Sequence, residues 1–151
     1  TLVQPASRGE VRLAPATPLD APVVSPATLS AAADVTALVQ GVRLARLTAG
    51  SPQLDRVRGE ESDVTRGPTS QADLQALVTR LAVRLDAVAG TCAMGPAGDE
   101  RAVVDRTLAV YGVAGLRVAG AAVMPVIVNA PPASASVMIG DRAAEFLLAD
   151  R

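Results

Sequence analysis

The chain has 151 residues, half of them apolar and 19% charged, and its formal net charge at pH 7 is −1. This composition is typical of a soluble globular protein, and it gives no electrostatic basis for binding nucleic acid or an anionic membrane. A chain of this length can bury a core, so we expect one domain over residues 1–151.

Residues 1–29 are rich in proline and predict a segment of short strands and coil that leads into the domain. Residues 10–13 alternate polar and apolar side chains, as a half-buried strand does. Val23 and Val24 follow Pro22 and predict a second short strand at a sheet edge, where proline is tolerated. A partly extended coil is the alternative for this segment.

Residues 30–89 predict two helices with a charged loop between them. Ser30 has the character of an N-cap for a helix over residues 31–47, which Gly50, Ser51 and Pro52 would end. Apolar side chains at helical spacing form one stripe on this helix. The stripe consists of Val35, Leu38, Val39, Val42 and Ala45.

The loop at residues 53–68 carries many charges and few apolar anchors. This favours a solvated surface loop, and a mobile lid over a pocket is the alternative. Thr69 and Ser70, with Asp73 in the first turn, predict the start of the second helix, whose exposed face would carry Arg80 and Arg84. Its predicted buried stripe consists of Leu74, Leu77, Val78, Leu81 and Leu85. Residues 83–89 indicate either a helix end or the start of a strand.

Residues 90–151 predict a turn, extended segments and a last helix. GTCAMG, at residues 90–95, is a turn-rich bend, and we expect strands at residues 103–104, 108–111 and 116–119 with a hairpin turn at residues 112–115. A loop broken by prolines then leads to a helix over residues 138–148. The N-terminus of such a helix is a weak signal for binding an anion or a polarised ring.

The chain contains no histidine, which removes the usual base near neutral pH and the commonest zinc ligand. We therefore predict no metal site. If the chain catalyses a reaction by itself, the side chains to consider for proton transfer are Asp86, Asp105 and Tyr111. Each is more typical of a surface or a turn than of a catalyst. Cys92, the single cysteine, fits a small buried thiol better than a nucleophile. Neither a GxGxxG fingerprint nor a P-loop is found, so the chain has no nucleotide-binding half of its own.

Four stretches, in this order and with compatible spacing, carry a family pattern. They are SRGEVRLAPATPLDAPVVSP (residues 7–26), GTCAMG (90–95), VVDRTLAVYGVAGLRVAGAAVMP (103–125) and MIGDRAAEFL (138–147). Together they resemble the C-terminal, substrate-binding region of the glucose–methanol–choline (GMC) family of FAD-dependent oxidoreductases. The resemblance covers nearly the whole chain.

The resemblance implies an α+β fold in which helices pack on one face of an antiparallel sheet placed over the flavin. In the family the flavin accepts a hydride from an alcohol carbon while a base removes the hydroxyl proton. FAD would be held only together with a partner, either an FAD-binding subunit or an N-terminal half. The positions where flavin or substrate would lie are Gly120, Ala121, Pro131, Pro132 and Ala133, although ordinary packing and turn-making explain these small residues equally well.

The sequence departs from the family pattern where the chemistry is expected. The position of the usual catalytic histidine falls on Ala87, and that of the second catalytic residue, Asn or His, falls on Pro131. A slipped alignment would instead place Asn129 at the second position. The acidic D-A-S triplet of the family is Gly120-Ala121-Ala122 here. We therefore assign no catalytic residue in this chain.

Three functions remain open on these observations. The first is the substrate-binding half, or a subunit, of a flavin-dependent alcohol- or sugar-type oxidoreductase that lacks its catalytic His and Asn/His and works as a heteromer. The second is a non-redox protein whose pocket binds, cyclises or isomerises an apolar small molecule. The third is a pseudo-enzyme scaffold subunit. We expect a bacterial, cytoplasmic protein, since its basic residues are all arginine and it carries no signal-peptide pattern.

Overall fold

The computed structural model describes residues 1–14, 19–84 and 87–150, and it contains both helices and strands. The chain divides into two compact units, Thr1–Arg84 (the N-terminal unit) and Leu85–Arg151 (the C-terminal unit). Three α-helices and one antiparallel strand pair in the described residues confirm the predicted α+β class. The packing of helices on one face of a larger sheet, and the single domain over residues 1–151, stay predictions.

A two-stranded antiparallel ribbon lies in the N-terminal unit. Strand β1 (Glu10–Arg12) pairs with strand β2 (Val23–Ser25), which confirms both predicted strands. Gly9 precedes β1 at a point where the two chain segments come very close. A Cβ at Gly9 would collide with the carbonyl oxygen of Ser25, so the close approach requires glycine.

Helix α1 (Ala32–Ala49) ends at Gly50, as predicted, but the predicted cap at Ser30 is wrong because the N-cap is Ala31. The N–H of Ala31 donates instead to the hydroxyl of Ser7, at 3.0 Å. Helix α1 therefore has no side-chain cap, and the hydroxyl that accepts the N–H of its N-cap residue comes from a residue distant in sequence.

Asp34, in the first turn of α1, is buried, with 2% of its surface exposed. Its carboxylate accepts the backbone N–H of Ala6 at 2.7 Å, the backbone N–H of Ser7 at 2.8 Å and the Ser7 hydroxyl. Burial by itself raises the pKa of Asp34, but these hydrogen bonds outweigh it and the pKa lies below its ordinary value. The charge thus fixes the N-terminal segment to α1.

Helix α2 (Gln71–Leu81) begins where the sequence predicts. The Ser70 hydroxyl accepts the backbone N–H of Asp73 at 3.1 Å and caps the helix. Helices α1 and α2 pack against each other and bury one apolar cluster. The buried cluster consists of Val39, Leu74, Leu77 and Val78.

The predicted apolar stripes are buried only in part. Val39 is buried on α1, whereas Ala45 is exposed, and Leu81 at the end of α2 is exposed as well. Leu85 lies outside the described residues. Arg84 lies beyond the C-cap of α2 at Ala82, so its predicted place on the helix is wrong.

The segment between the two helices is a surface loop, as its charged composition predicts. It contains one turn of 3₁₀ helix, Pro52–Leu54, and otherwise turns and coil. Between residues 52 and 67, every residue except Thr65 is exposed.

The C-terminal unit, in its described part, has isolated β-bridges at the predicted strands. Val104 pairs with Met94 on one side and with Val110 on the other. The strand prediction is wrong here because the buried Leu108 has a φ of 67°, a left-handed conformation that interrupts an extended run. The segments exchange main-chain hydrogen bonds but form bridges instead of regular strands.

A hairpin-like turn at residues 112–115 is nevertheless present. The Val110 N–H donates to the carbonyl of Leu116 at 3.0 Å, and the Val118 N–H donates to the carbonyl of Leu108 at 3.1 Å. Gly112 has a φ of 76°, which suits a glycine in a tight turn.

Helix α3 (Ala133–Ala149) starts earlier than predicted, since the sequence placed its beginning at Met138. Pro132 is the N-cap, and its carbonyl accepts the backbone N–H and the hydroxyl of Ser136, each at 2.8 Å. Proline suits this position because its missing N–H would lack a helical partner there. The proline-rich link thus runs directly into the helix.

The buried cluster of the C-terminal unit joins α3 to loop segments. Helix α3 packs against a turn of 3₁₀ helix, Ala121–Val123. The buried residues of the cluster are Val104, Leu108, Val123 and Ala143.

Candidate functional site

The turn at residues 90–95, called the GTC turn, lies along residues 121–123 and is held there by the main chain. Three of its N–H groups donate to successive carbonyls: Gly90 to Ala121 at 3.1 Å, Cys92 to Ala122 at 2.8 Å and Met94 to Val123 at 2.9 Å. Two family-like stretches that are distant in sequence are thereby brought together. The predicted position Ala121 lies directly against the GTC turn.

Two glycines shape this contact. Gly90 has a φ of 82°, and a Cβ on it would stand 3.1 Å from the carbonyl oxygen of Met124. Gly120 has a φ of 97°, and no heavy atom outside its own neighbours lies within 4 Å of the place a Cβ would take. Gly90 is therefore required by conformation and by space, whereas Gly120 leaves an opening beside Ala121.

The other predicted positions lie at the start of α3. Pro131 is exposed, Pro132 is the N-cap and Ala133 is the first residue of the helix. Proline has no side-chain group that could cap the helix, so the free N–H groups of the first turn and the helix dipole favour a negative or polarised group here. The helix terminus that the sequence placed at Met138 is therefore found at Ala133.

The two positions of expected proton transfer carry no proton-active side chain. Ala87 is half-buried ahead of the GTC turn, and Pro131 is exposed just before α3. Asn129, the alternative for the second position, is exposed in a bend of the link. An amide does not act as a base near neutral pH, so neither Pro131 nor Asn129 offers a proton acceptor.

Asp105 is committed to a turn. Its Oδ1 accepts the backbone N–H and the hydroxyl of Thr107 and the backbone N–H of Ala109. The hydrogen bond from the Thr107 hydroxyl is the main reason that the pKa of Asp105 lies below its ordinary value. The hydroxyl of Tyr111 donates to the carbonyl of Gly95 at 2.9 Å, which ties Tyr111 to the end of the GTC turn.

Cys92 is a half-buried free thiol, and Asp86 lies outside the described residues. Within residues 1–14, 19–84 and 87–150, no three His, Cys, Asp or Glu side chains gather closely enough to hold a metal ion. None of the helices described is both long and apolar enough to pass through a bilayer. Two open grooves lie on the N-terminal unit, and none of the predicted site residues lines them.

The pairing of the GTC turn with residues 121–123 is the feature of the site that sequence reasoning missed. Glycine and small residues at both places are compatible with a close approach, but they give no register. Spacing within the sequence offers no signal for such long-range main-chain pairing.

Residues 5–140 match the model of the family described as GMC oxidoreductase. An uncharacterized GMC-type oxidoreductase of Mycobacterium bovis is 37% identical over 149 residues, which are 97% of this chain and 28% of that protein. Glucose dehydrogenase (FAD, quinone) of Drosophila pseudoobscura pseudoobscura is 35% identical over 152 residues, covering 97% of this chain and 24% of the relative.

Among solved structures, an FAD-dependent oxidoreductase from Chaetomium thermophilum matches with a TM-score of 0.87 and 28% identity. The match covers 98% of this chain and 26% of that one. The chain therefore spans about a quarter of the length of the proteins it matches.

Proposed function

Because the chain belongs to the GMC oxidoreductase family and corresponds to its C-terminal region, we propose that it is the substrate-binding part of a flavin-dependent oxidoreductase of the alcohol or sugar type. In this proposal the chain lacks the proton acceptors of the family's reaction. The observation that carries it is the pairing of the GTC turn with residues 121–123, which joins two of the family-like stretches in one compact unit.

The residues at this place fit one side of a flavin site, and only one side. Gly120 and Ala121 offer a small, open surface, and the start of α3 offers free N–H groups beside Pro132. Such a surface can contact a flat ring and favour negative charge on it. When bound, FAD would supply the hydride acceptor. The chain's own groups would orient the substrate and limit its access to water.

The exposed side of α3 supports a partner that holds the rest of the cofactor. Val137 and Leu148 are exposed to 74% and 64%, and the exposed Gly140 and Ala144 lie between them at helical spacing. Opposite this face, Ala143 is buried in the unit's own core. The exposed Asp141 lies beside Val137 and Leu148 on this side of the helix. Exposed apolar side chains with a charge at their edge are compatible with a surface that another protein surface covers. We propose that the partner is the FAD-binding half, as a separate subunit or as another part of a longer protein.

The first test is the ultraviolet–visible spectrum and the mass of the protein purified gently from its own host. We expect flavin absorbance. We also expect a mass that includes an FAD-binding part, either as a second chain or as part of the same chain. A colourless species of 15.3 kDa that folds cooperatively would contradict the proposal.

A second test restores the missing base in the flavin-containing assembly. Ala87→His with Pro131→Asn returns the usual residue types to the two family positions. We expect alcohol oxidation to rise by about 10²- to 10⁴-fold, the usual contribution of a positioned general base. Val88→His with the same Pro131→Asn is the matched control, because Val88 is the exposed neighbour of Ala87. An equal gain in both variants would show that Ala87 is not the position of the base.

The non-redox pocket protein is the second candidate, and the small or apolar residues Ala87, Gly120 and Pro131 at the family's polar positions favour it. If the purified protein is colourless, an apolar small molecule that binds the folded state must raise its thermal stability. Stabilisation by such ligands would support the pocket. A colourless protein that binds no ligand but requires a second protein to fold would support the scaffold.

A further inference from the structure

Residues 55–66, called the strap, cover the C-terminal half of α1 with almost no apolar anchoring. Their two large apolar side chains, Val57 and Val64, are both exposed. Only Thr65 is half-buried within the strap. Hydrophobic burial therefore contributes little to holding the strap in place.

Arg46 is the main polar anchor of the strap. From α1 it donates Nε and Nη2 to Oε1 of Glu61, at 3.0 and 2.9 Å. It also donates Nη2 to the carbonyl of Thr65 and Nη1 to the carbonyl of Pro68, each at 2.6 Å. One guanidinium thus holds a carboxylate and two main-chain carbonyls, which uses the fork of donors that only arginine has.

Two arginines of the strap itself, Arg58 and Arg66, also make charged hydrogen bonds. Arg58 donates to the carbonyl of Ala49, at the end of α1, and pairs with Asp55 at 2.7 Å. Arg66 pairs with Glu60 at 2.8 Å and donates to the carbonyl of Glu61. The strap is therefore joined to α1 by Arg46 and Arg58, while Arg66 links residues of the strap to one another.

An open groove lies between the strap and α1. On the α1 side it is lined by Val42, Ala45 and Ala49, and on the strap side by Glu60 and Glu61 among others. Ala45 and Ala49 are exposed in the groove with the strap in place, and Val42 is half-buried. The buried cluster of Val39, Leu74, Leu77 and Val78 does not involve the strap.

We propose that the strap is a conformational latch, held closed by Arg46 and able to open while the helix pair stays folded. The contacts that close it are exposed ion pairs and charged hydrogen bonds, which salt weakens. The contacts that hold α1 to α2 are buried and apolar, and salt does not screen them. The strap therefore opens more readily at high ionic strength, and the helix core does not.

Hydrogen exchange on the full 151-residue chain tests the latch. The reporters are the N–H groups of Thr65 and Arg66, which donate to the carbonyl of Ser62 within the strap. We expect them to exchange faster as the salt concentration rises from about 0.1 M to about 1 M, where the screening length falls from about 10 to about 3 Å. Amides of α2 serve as the internal reference and keep their rates.

Two variants test the contributions of Arg46 and of its partner Glu61 separately. Glu61→Gln removes one ion pair and is expected to speed strap exchange by about two- to fivefold. Arg46→Met keeps an apolar stem and a good helix former but loses all four donor contacts, so we expect acceleration of more than about tenfold and a loss of the salt response. Glu10→Gln is the matched control, because it removes an exposed ion pair with Arg12 in the β-ribbon.

The latch is overturned if salt leaves the strap rates unchanged, or if Arg46→Met exchanges like the unaltered chain while its α2 amides remain protected. It is also overturned if strap and α2 amides exchange together in all samples, since the strap would then not open separately. Should Arg46→Met fail to fold, the salt response of the unaltered chain and of Glu61→Gln decides the outcome.

Discussion

The two compact units of this chain bury their cores by different means. In the N-terminal unit, all four residues of the buried apolar cluster lie on two packed helices. In the C-terminal unit, Val104 lies at a bridge, Leu108 at the end of a turn and Val123 in a turn of 3₁₀ helix, and of the four only Ala143 lies on an α-helix. The first unit is specified by helical side-chain spacing, and the second by main-chain hydrogen bonds between loops and by unusual backbone angles.

This difference bears on function because the GTC turn belongs to the second unit. Loops that are fixed by backbone hydrogen bonds can present main-chain groups and small side chains at a defined place. Gly120 and Ala121 are such positions, next to the GTC turn. The helix pair of the N-terminal unit contains no predicted site residue. The strap, which we propose as a latch, belongs to this unit.

Side-chain truncation should have its largest effect in the helix pair. Leu74 has 1% of its surface exposed, and Leu74→Ala is expected to lower the free energy of unfolding by about 3 kcal/mol through lost burial and the cavity it leaves. Urea unfolding followed by circular dichroism measures the change. Leu81→Ala is the control on the same helix; Leu81 is exposed, so we expect a loss below about 1 kcal/mol. Equal losses would mean that α2 is not packed as described.

Asp34 should show the next largest effect, because it anchors the N-terminal segment. Asp34→Asn places an amide donor where the carboxylate accepts N–H groups of Ala6 and Ser7. We expect a loss of about 2 kcal/mol at pH 7, the usual size for a hydrogen bond to a charged group. Ser7→Ala removes the hydroxyl that donates to Asp34 and accepts the N–H of Ala31, but keeps both backbone donors to the carboxylate, so it should cost less.

The pH dependence of this loss identifies the charge as its cause. The folded-state pKa of Asp34 is lowered, so its contribution is fully present above the unfolded pKa of about 3.9 and is lost as pH falls through the folded value. The stability difference between the unaltered chain and Asp34→Asn should therefore be constant from about pH 5 to 7 and shrink below about pH 4. A difference that persists at low pH would assign the effect to packing.

Much of the N-terminal unit could be predicted from the sequence, because its signals are local. Alternation predicts β1, Val23 and Val24 after Pro22 predict β2, and Ser70 with Asp73 marks the start of α2. The N-cap of α1 at Ala31 could not be predicted, since the N–H of Ala31 donates to Ser7, more than twenty residues away in sequence. Burial of Asp34 depends on the same distant segment.

The C-terminal unit shows where local signals fail. The β-branched residues around Val104 predict strands, but a left-handed Leu108 limits them to bridges, and no sequence pattern marks a leucine for that conformation. The site residues became identifiable through the family resemblance, because glycine, alanine and proline carry no chemical signal. Their absence of proton-active groups was predictable from the residue types alone.

Gly90→Ala tests the C-terminal unit, which is specified by main-chain hydrogen bonds and backbone angles. It should lower the stability less than Leu74→Ala and Asp34→Asn do. Its φ of 82° and the nearby Met124 carbonyl oxygen predict a loss of about 1.5 kcal/mol, because an L-residue is strained there and its Cβ is crowded. Gly112→Ala has a similar φ of 76° with open space, so it should lose only the conformational part.

Gly41→Ala, inside α1 with no atom near its Cβ, is expected to act in the opposite direction and stabilise the chain by about 0.5–1 kcal/mol. Faster hydrogen exchange at Cys92 and Met94 in Gly90→Ala would locate the damage in the GTC turn. If Gly90→Ala and Gly41→Ala changed stability alike, the GTC turn would not depend on its backbone conformation. The contrast between a unit specified by side-chain spacing and a unit specified by the main chain would then not hold for the GTC turn.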